Sequence, residues 1–210
     1  MSIIAAILFF GAVMIIGLLV KRKTAPLTEK VPIQKKDVPV LKGIFVHPSH
    51  TWAEVVEPDL VNVGMDKFAK SMFGSINKIG VPEKGQTIHQ GGKAWTLRKD
   101  GRQLTQVSPV SGEVVEVNQD LVGNPQLLEK KGADRTWMLK IKPSKLKREL
   151  QNLLHGNVLS RWNQAVKEQL VATLSMSQFP VLQEGGEIKP DLGDELTSEQ
   201  WERVSKEFFG

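Results

Sequence analysis

Three groups of residues in this 210-residue chain have the types and spacing to do chemistry. The first is L-R-K-D-G-R-Q-L at residues 97–104, where Asp100-Gly101 lies between strand-like residues. Asp-Gly in that setting predicts a two-residue type I′ hairpin turn, because both central positions need positive φ. Such a hairpin presents one amine, Lys99, flanked by the guanidinium groups of Arg98 and Arg102. A cationic tip steers acidic partners towards it. The second group is His47-x-x-His50, the nearest approach to metal-ligand spacing; the scattered His89 and His155 do not complete it. No helix signal surrounds the pair, so no metal site is expected. The third is Trp201 and Phe208, which share one side of a helix with Val204. That helix opens on the capping box Thr197-x-x-Gln200. Its aromatic residues suit either a lid on their own domain or a hydrophobic plug for a partner's groove. The chain has no cysteine, which excludes disulfides and thiolate metal sites. It has no nucleophile–base signature, no phosphate-cradling glycine loop and no cofactor motif, so an enzyme is not expected.

The elements that must position these residues are short. Ile44 to Val46, Thr51 to Val56 and Leu60 to Val63 read as strands. Met65, Phe68, Ala69, Met72 and Phe73 have the spacing of a helix with one buried stripe, closed by Gly74. Strand resumes over Ile76 to Ile79. Turns at Pro82–Gly85 and Gln90–Gly92 lead to the hairpin from Lys93 to Val107. Glu113 to Val117 and Thr136 to Lys142 complete the set, with a break at Gly123-Asn124-Pro125. Many short strands between turn signals predict a small barrel or a two-sheet sandwich.

The motifs H-x-x-H-x-W, V-G-M-D-K-F-A-K-S-M-F-G-S-I, P-E-K-G, S-P-V-S-G-E-V-V-E-V-N, N-P-Q-L-L and W-M-L-K-I-K-P-S follow one another in order from His47 to Leu154. Together they resemble the H protein of the glycine cleavage system. The resemblance implies a mainly β fold with appended helices, the lipoyl/biotinyl-type barrel-sandwich hybrid. It also implies a hairpin whose turn holds the lysine that carries lipoic acid, with an acid upstream that lipoylating enzymes use. Aligned on Ser108-Pro109, the acid falls on Arg98 and the lysine on Gly101. Glycine offers no amine, so no lipoyl cofactor is expected. Lys99 is the fallback attachment point, and Lys93 lies further down the strand.

Around this domain, residues 43–155, the chain carries appendages. Residues 3–20 are eighteen residues without a charge, followed by Lys21-Arg22-Lys23. This predicts a membrane-spanning helix over residues 1–23 with its flank, the N-terminus outside and the soluble body in the cytoplasm. A cleaved signal peptide fits less well, since no basic region precedes the run and no small-residue cleavage site follows. Residues 24–42 are proline-rich and aperiodic, an extended linker. Residues 156–210 form a helical, acidic extension of net charge −4, against +9 for residues 1–155. Leu146, Leu150, Leu153 and Leu154 predict a helix on the barrel; Val158, Leu159, Trp162, Val166, Leu170 and Leu174 predict a second.

The combined expectation is a single-pass, membrane-tethered, non-lipoylated H-protein-like subunit that docks or scaffolds at the cytoplasmic face. Its partner-binding residues would be Arg98, Lys99, Asp100, Arg102, Trp201 and Phe208, and its partners acidic proteins. Nucleic acid is disfavoured, because no aromatic residues interleave a basic strand face. Two alternatives remain: a lipoyl carrier of glycine-cleavage type using Lys99, and a membrane-fusion-type adaptor of an export system. The adaptor reading lacks the coiled-coil heptads and the orientation that class requires.

Overall fold

The computed structural model describes residues 43–129, 136–175 and 180–210, all within one compact unit spanning residues 39–210. The expected anchor and linker lie outside the described residues. Among the described residues, no helix is long and apolar enough to cross a membrane.

Among the described residues, nine strands form two antiparallel sheets. One holds six strands in the order β1 (Ile44–His47), β2 (Thr51–Glu57), β3 (Leu60–Met65), β9 (Leu139–Pro143), β8 (Gly112–Val117) and β5 (Thr87–Ile88). The other holds β4 (Lys78–Gly80), β6 (Lys93–Lys99) and β7 (Arg102–Val107). In β8, Val114 and Val117 point inward while Glu113 and Glu116 point out. Inward residues three apart break strict alternation, and a register shift between Val114 and Glu116 accounts for it.

Helix α1 (Lys67–Phe73) begins where Asp66 accepts from the Ala69 N–H at 2.8 Å, a side-chain cap for one of the helix's free donors. It buries Phe68, Ala69, Met72 and Phe73, as the spacing predicts. Met65 belongs instead to β3, because Asp66 sets the start of the helix. Two elements had no clear sequence signal. Asn118 caps a short helix, α2 (Gln119–Gly123), and a 3-10 turn over Pro125–Glu129 follows the expected break. The helix expected after Pro143-Ser144 is α3 (Leu146–Glu149), tightened to 3-10 over Leu150–Asn152.

Helix α4 (Gly156–Thr173) buries Val166 and Leu170 and leaves Val158 60% exposed, so its apolar stripe is shorter than expected. Helix α5 (Ser198–Phe209) carries the capping box: Gln200 N–H donates to Thr197 Oγ1 at 3.2 Å, and Thr197 N–H to Gln200 Oε1 at 2.9 Å. Trp201, Val204, Phe208 and Phe209 are buried in the same apolar cluster as the barrel residues, as is Leu192 in the turn before α5. The lid reading of the last helix describes what is seen.

Candidate functional site

The β6–β7 hairpin turns as its sequence requires, with φ of 46° at Asp100 and 82° at Gly101. Its pairing decides where each cation goes. Arg98 faces Gln103 across the ladder, and Lys99 faces Arg102. Cross-strand partners share a face of the sheet, so the four side chains divide into two pairs. Arg98 is exposed and its Nε donates to Gln103 Oε1 at 3.0 Å. Asp100 is exposed and accepts from Asn77 Nδ2 at 3.1 Å. Lys99 and Arg102 leave the other face, where like charges would repel one another unless neutralised.

The C-terminal extension supplies that neutralisation. Lys99 Nζ is ion-paired with Asp194 and donates to Ser75 Oγ at 2.6 Å; Ser75 Oγ donates in turn to Asp194 Oδ2 at 3.2 Å. The lysine side chain is only 14% exposed. Arg102 donates from Nη1 to the Gly193 carbonyl at 2.6 Å and from Nη2 to the Leu196 carbonyl at 2.5 Å. Its guanidinium also lies 5.6 Å from the centre of the Trp201 ring, within cation–π reach. The segment can also lie close against α1 because residue 193 is glycine: a Cβ there would sit 1.9 Å from the Met72 carbonyl oxygen. A polar groove of about 680 Å³ remains between the tip and α5, with Asp100, Gly101 and Gln103 on one wall and Ser198, Glu202 and Ser205 on the other.

The structure therefore brings Lys99, Asp100, Gly101, Arg102 and Trp201 together, and leaves Arg98 on the opposite face. Phe208 is elsewhere. Its ring packs 5.1 Å from Phe68, in a cluster where His50 stacks on Phe68 at 4.0 Å and meets Trp162 and Phe209 at 4.8 and 5.4 Å. Trp201 packs edge-on against Phe73 at 5.4 Å. At 6% and 7% exposure, Trp201 and Phe208 would have to leave the core before they could anchor in a partner.

The two histidines of the first motif do not converge. His47 Nδ1 meets Ser49 Oγ at 2.9 Å, while His50 Nδ1 meets Asp66 Oδ2 at 2.8 Å. Burial holds the His47 imidazole below its ordinary pKa. Among the described residues no group of three His, Cys, Asp or Glu side chains could hold a metal. Sequence reasoning missed Ser75, Gly193 and Asp194. The one signal that could have found them is charge: an acidic D-L-G-D-E-L run in a chain whose other half is basic.

The family model described as Glycine cleavage H-protein matches residues 45–168, more than half of the chain. The chain belongs to the glycine cleavage H-protein family. It is 29% identical over 130 residues to the probable glycine cleavage system H protein of Thermococcus gammatolerans, covering 62% of this chain and 96% of that one. It is 34% identical over 116 residues to the mitochondrial H protein of Pisum sativum, covering 55% and 68%. The crystal structure of the Mycobacterium marinum H protein matches with 25% identity and a TM-score of 0.44, over 49% of this chain and 84% of that one. The H protein is a carrier and not itself a catalyst, so membership agrees with the expectation that this chain is not an enzyme.

Family membership raises the question of lipoate. At the tip, Gly101 has no amine, and the neighbouring Lys99 amine is held by Asp194 and Ser75. Lys93 is at the far end of β6, paired with Val107. At the turn position itself glycine offers no attachment point for a lipoyl group. The segment that engages Lys99 and Arg102 lies beyond residue 168, outside the family match.

Proposed function

We propose that this protein is a membrane-tethered, non-lipoylated member of the H-protein family that serves as a docking or structural subunit at the cytoplasmic face. The observation that supports the reading is the hairpin: it keeps a tight turn at positive φ, holds glycine at the lysine position and has the neighbouring Lys99 amine in an ion pair. The apolar run at residues 3–20 and the Lys21-Arg22-Lys23 flank support the tether and its orientation. Arg98 is the cation of the tip that points away from the C-terminal segment, and it is the residue best placed to meet an acidic partner.

The competing reading, a lipoyl carrier using Lys99, requires the amine to leave Asp194 and Ser75 and a ligase to accept Arg98 where the resemblance implies an acid. Intact mass of the protein purified from its native membrane decides between them. The unmodified mass is expected. A lipoyl-sized increment mapped to Lys99 would sink the docking reading. Arg98→Glu should then deplete whatever protein copurifies, whereas an unchanged copurifying set would count against a partner at the tip. Lys99 and Arg102 are poorer probes, because reversing them also strikes the C-terminal segment.

A further inference from the structure

The contacts of the C-terminal segment resemble those of a bound helical peptide more than those of a strand in a sheet. No backbone ladder joins residues 191–209 to the barrel: α5 is a capped amphipathic helix held by its buried side chains, and the turn before it is held by Asp194 and by two backbone carbonyls that accept from Arg102. Each contact has a distinct chemistry. A carboxylate, Asp194, meets Lys99; two carbonyls meet Arg102; an indole, Trp201, meets Phe73; Phe208 and Phe209 meet Phe68. Aromatic anchors at i, i+7 and i+8 from one helix face are the usual way an amphipathic helix occupies a groove. The segment is acidic and the barrel side basic, which gives the charge complementarity that guides such binding. The outlying polar contacts are exposed: the Gln169–Glu207 hydrogen bond, and ahead of the segment the Lys67–Glu187 ion pair, which salt screens.

We propose that residues 191–209 are a latch: they fill, in cis, a docking surface made by α1 and the Lys99/Arg102 face of the hairpin, and they yield to a partner helix of the same chemistry. The partner segment would offer a carboxylate just ahead of a helix whose inward face carries an indole or phenyl rings. The inference rests on the docking function proposed above and adds its regulation. Tethering explains why the latch stays shut by default. An intramolecular link can present a segment at about millimolar effective concentration, so one with a micromolar Kd in trans is closed in cis by about 10²–10³ to one. A partner must exceed that ratio, or the cell must weaken the latch, before the surface is free.

Amide hydrogen exchange on the full-length protein in lipid nanodiscs tests the first half. Residues 192–209 are expected to open as a unit, at least ~100-fold more often than β2, β3, β8 and β9, since local opening is set by the contacts of the opening part alone. Exchange of the segment only together with those strands would overturn the latch and make the segment a fixed part of the core. A fluorescent peptide of residues 189–210 tests the second half. The wild-type chain should reject it, and full-length D194K/W201A, with its latch weakened, should bind it at least ~100-fold more tightly. Rejection by the variant, with exchange showing the latch open and the hairpin still protected, would overturn the docking surface. The same exchange experiment reports whether the variant is folded; if it is not, D194K alone is the variant used. Failure of the docking function looks different: the latch opens and the peptide binds, but Arg98→Glu changes nothing that copurifies.

Discussion

Position 101 places two demands on one turn, a backbone at positive φ and, in the resemblance, an amine for acylation. Glycine meets the first at no steric cost. Its missing Cβ would meet nothing within 4 Å, so a long side chain there has room and bears only the conformational penalty. Gly101→Lys should therefore fold, losing about 1 kcal/mol and a few degrees of Tm by calorimetry. Combined with Arg98→Glu, it should become a substrate for a lipoate ligase in vitro, read as a lipoyl-sized mass increment that wild type lacks. No increment would mean that more than these two residues has been lost. A second residue to probe is Gln106, fully buried on β7 with neither amide atom hydrogen-bonded, opposite Trp95, whose indole N–H is likewise unpartnered. Burying an amide without partners costs more than the same volume of hydrocarbon, so Gln106→Met should raise stability by about 1 kcal/mol, seen as a higher urea midpoint. His47 gives the pH dependence. Its pKa is lowered by burial, so the unfolded chain binds the proton more readily. Its contribution is intact above the ordinary histidine pKa and is lost as pH falls from there through the lowered folded value. His47→Gln should flatten that part of the stability–pH curve, and an unchanged curve would remove His47 as its cause.

Elements were legible in the sequence to the extent that their signals are local. The Asp100-Gly101 turn and the Thr197–Gln200 capping box are set within four residues and are found where the sequence puts them, and helix α1 keeps its predicted stripe from Phe68 to Phe73 but starts after Asp66 rather than at Met65. The register shifts in β6 and β8 were not, because a bulge is decided by which inward residues the opposite sheet accepts. The short strand β5 has two residues and too little pattern to detect. The site was half legible. The hairpin cations follow from sequence, but their partners Gly193 and Leu196 are 91 and 94 residues from Arg102, beyond any periodicity. Gly193 is where this long-range fit is most exacting. Gly193→Ala sets a methyl group against the backbone of α1, which cannot move as a side chain can. The expected cost is about 2 kcal/mol or more, concentrated in the C-terminal segment. Limited proteolysis should cut that segment first and leave the barrel; simultaneous loss of both would show that the segment and barrel are one cooperative unit.

At the scale of the molecule, the net charge of +5 conceals a division: −4 after residue 155 and +9 before it. The hairpin–tail ion pair is one place where the two halves meet. The proposed orientation also has a direct test. Protease added outside spheroplasts should leave the domain intact, and cleavage from outside would reverse the topology. The same far-reaching contacts impose an order in time. Trp201 packs on Phe73 and Asp194 pairs with Lys99, so both surfaces are translated well before the residues that cover them. At ~5–20 residues per second, roughly a hundred residues of delay amounts to about 5–20 s. For that interval the nascent chain shows an uncapped aromatic ridge beside two unpaired cations. A ribosome-associated chaperone, or an early-binding partner, would meet a form of this protein that the finished molecule hides.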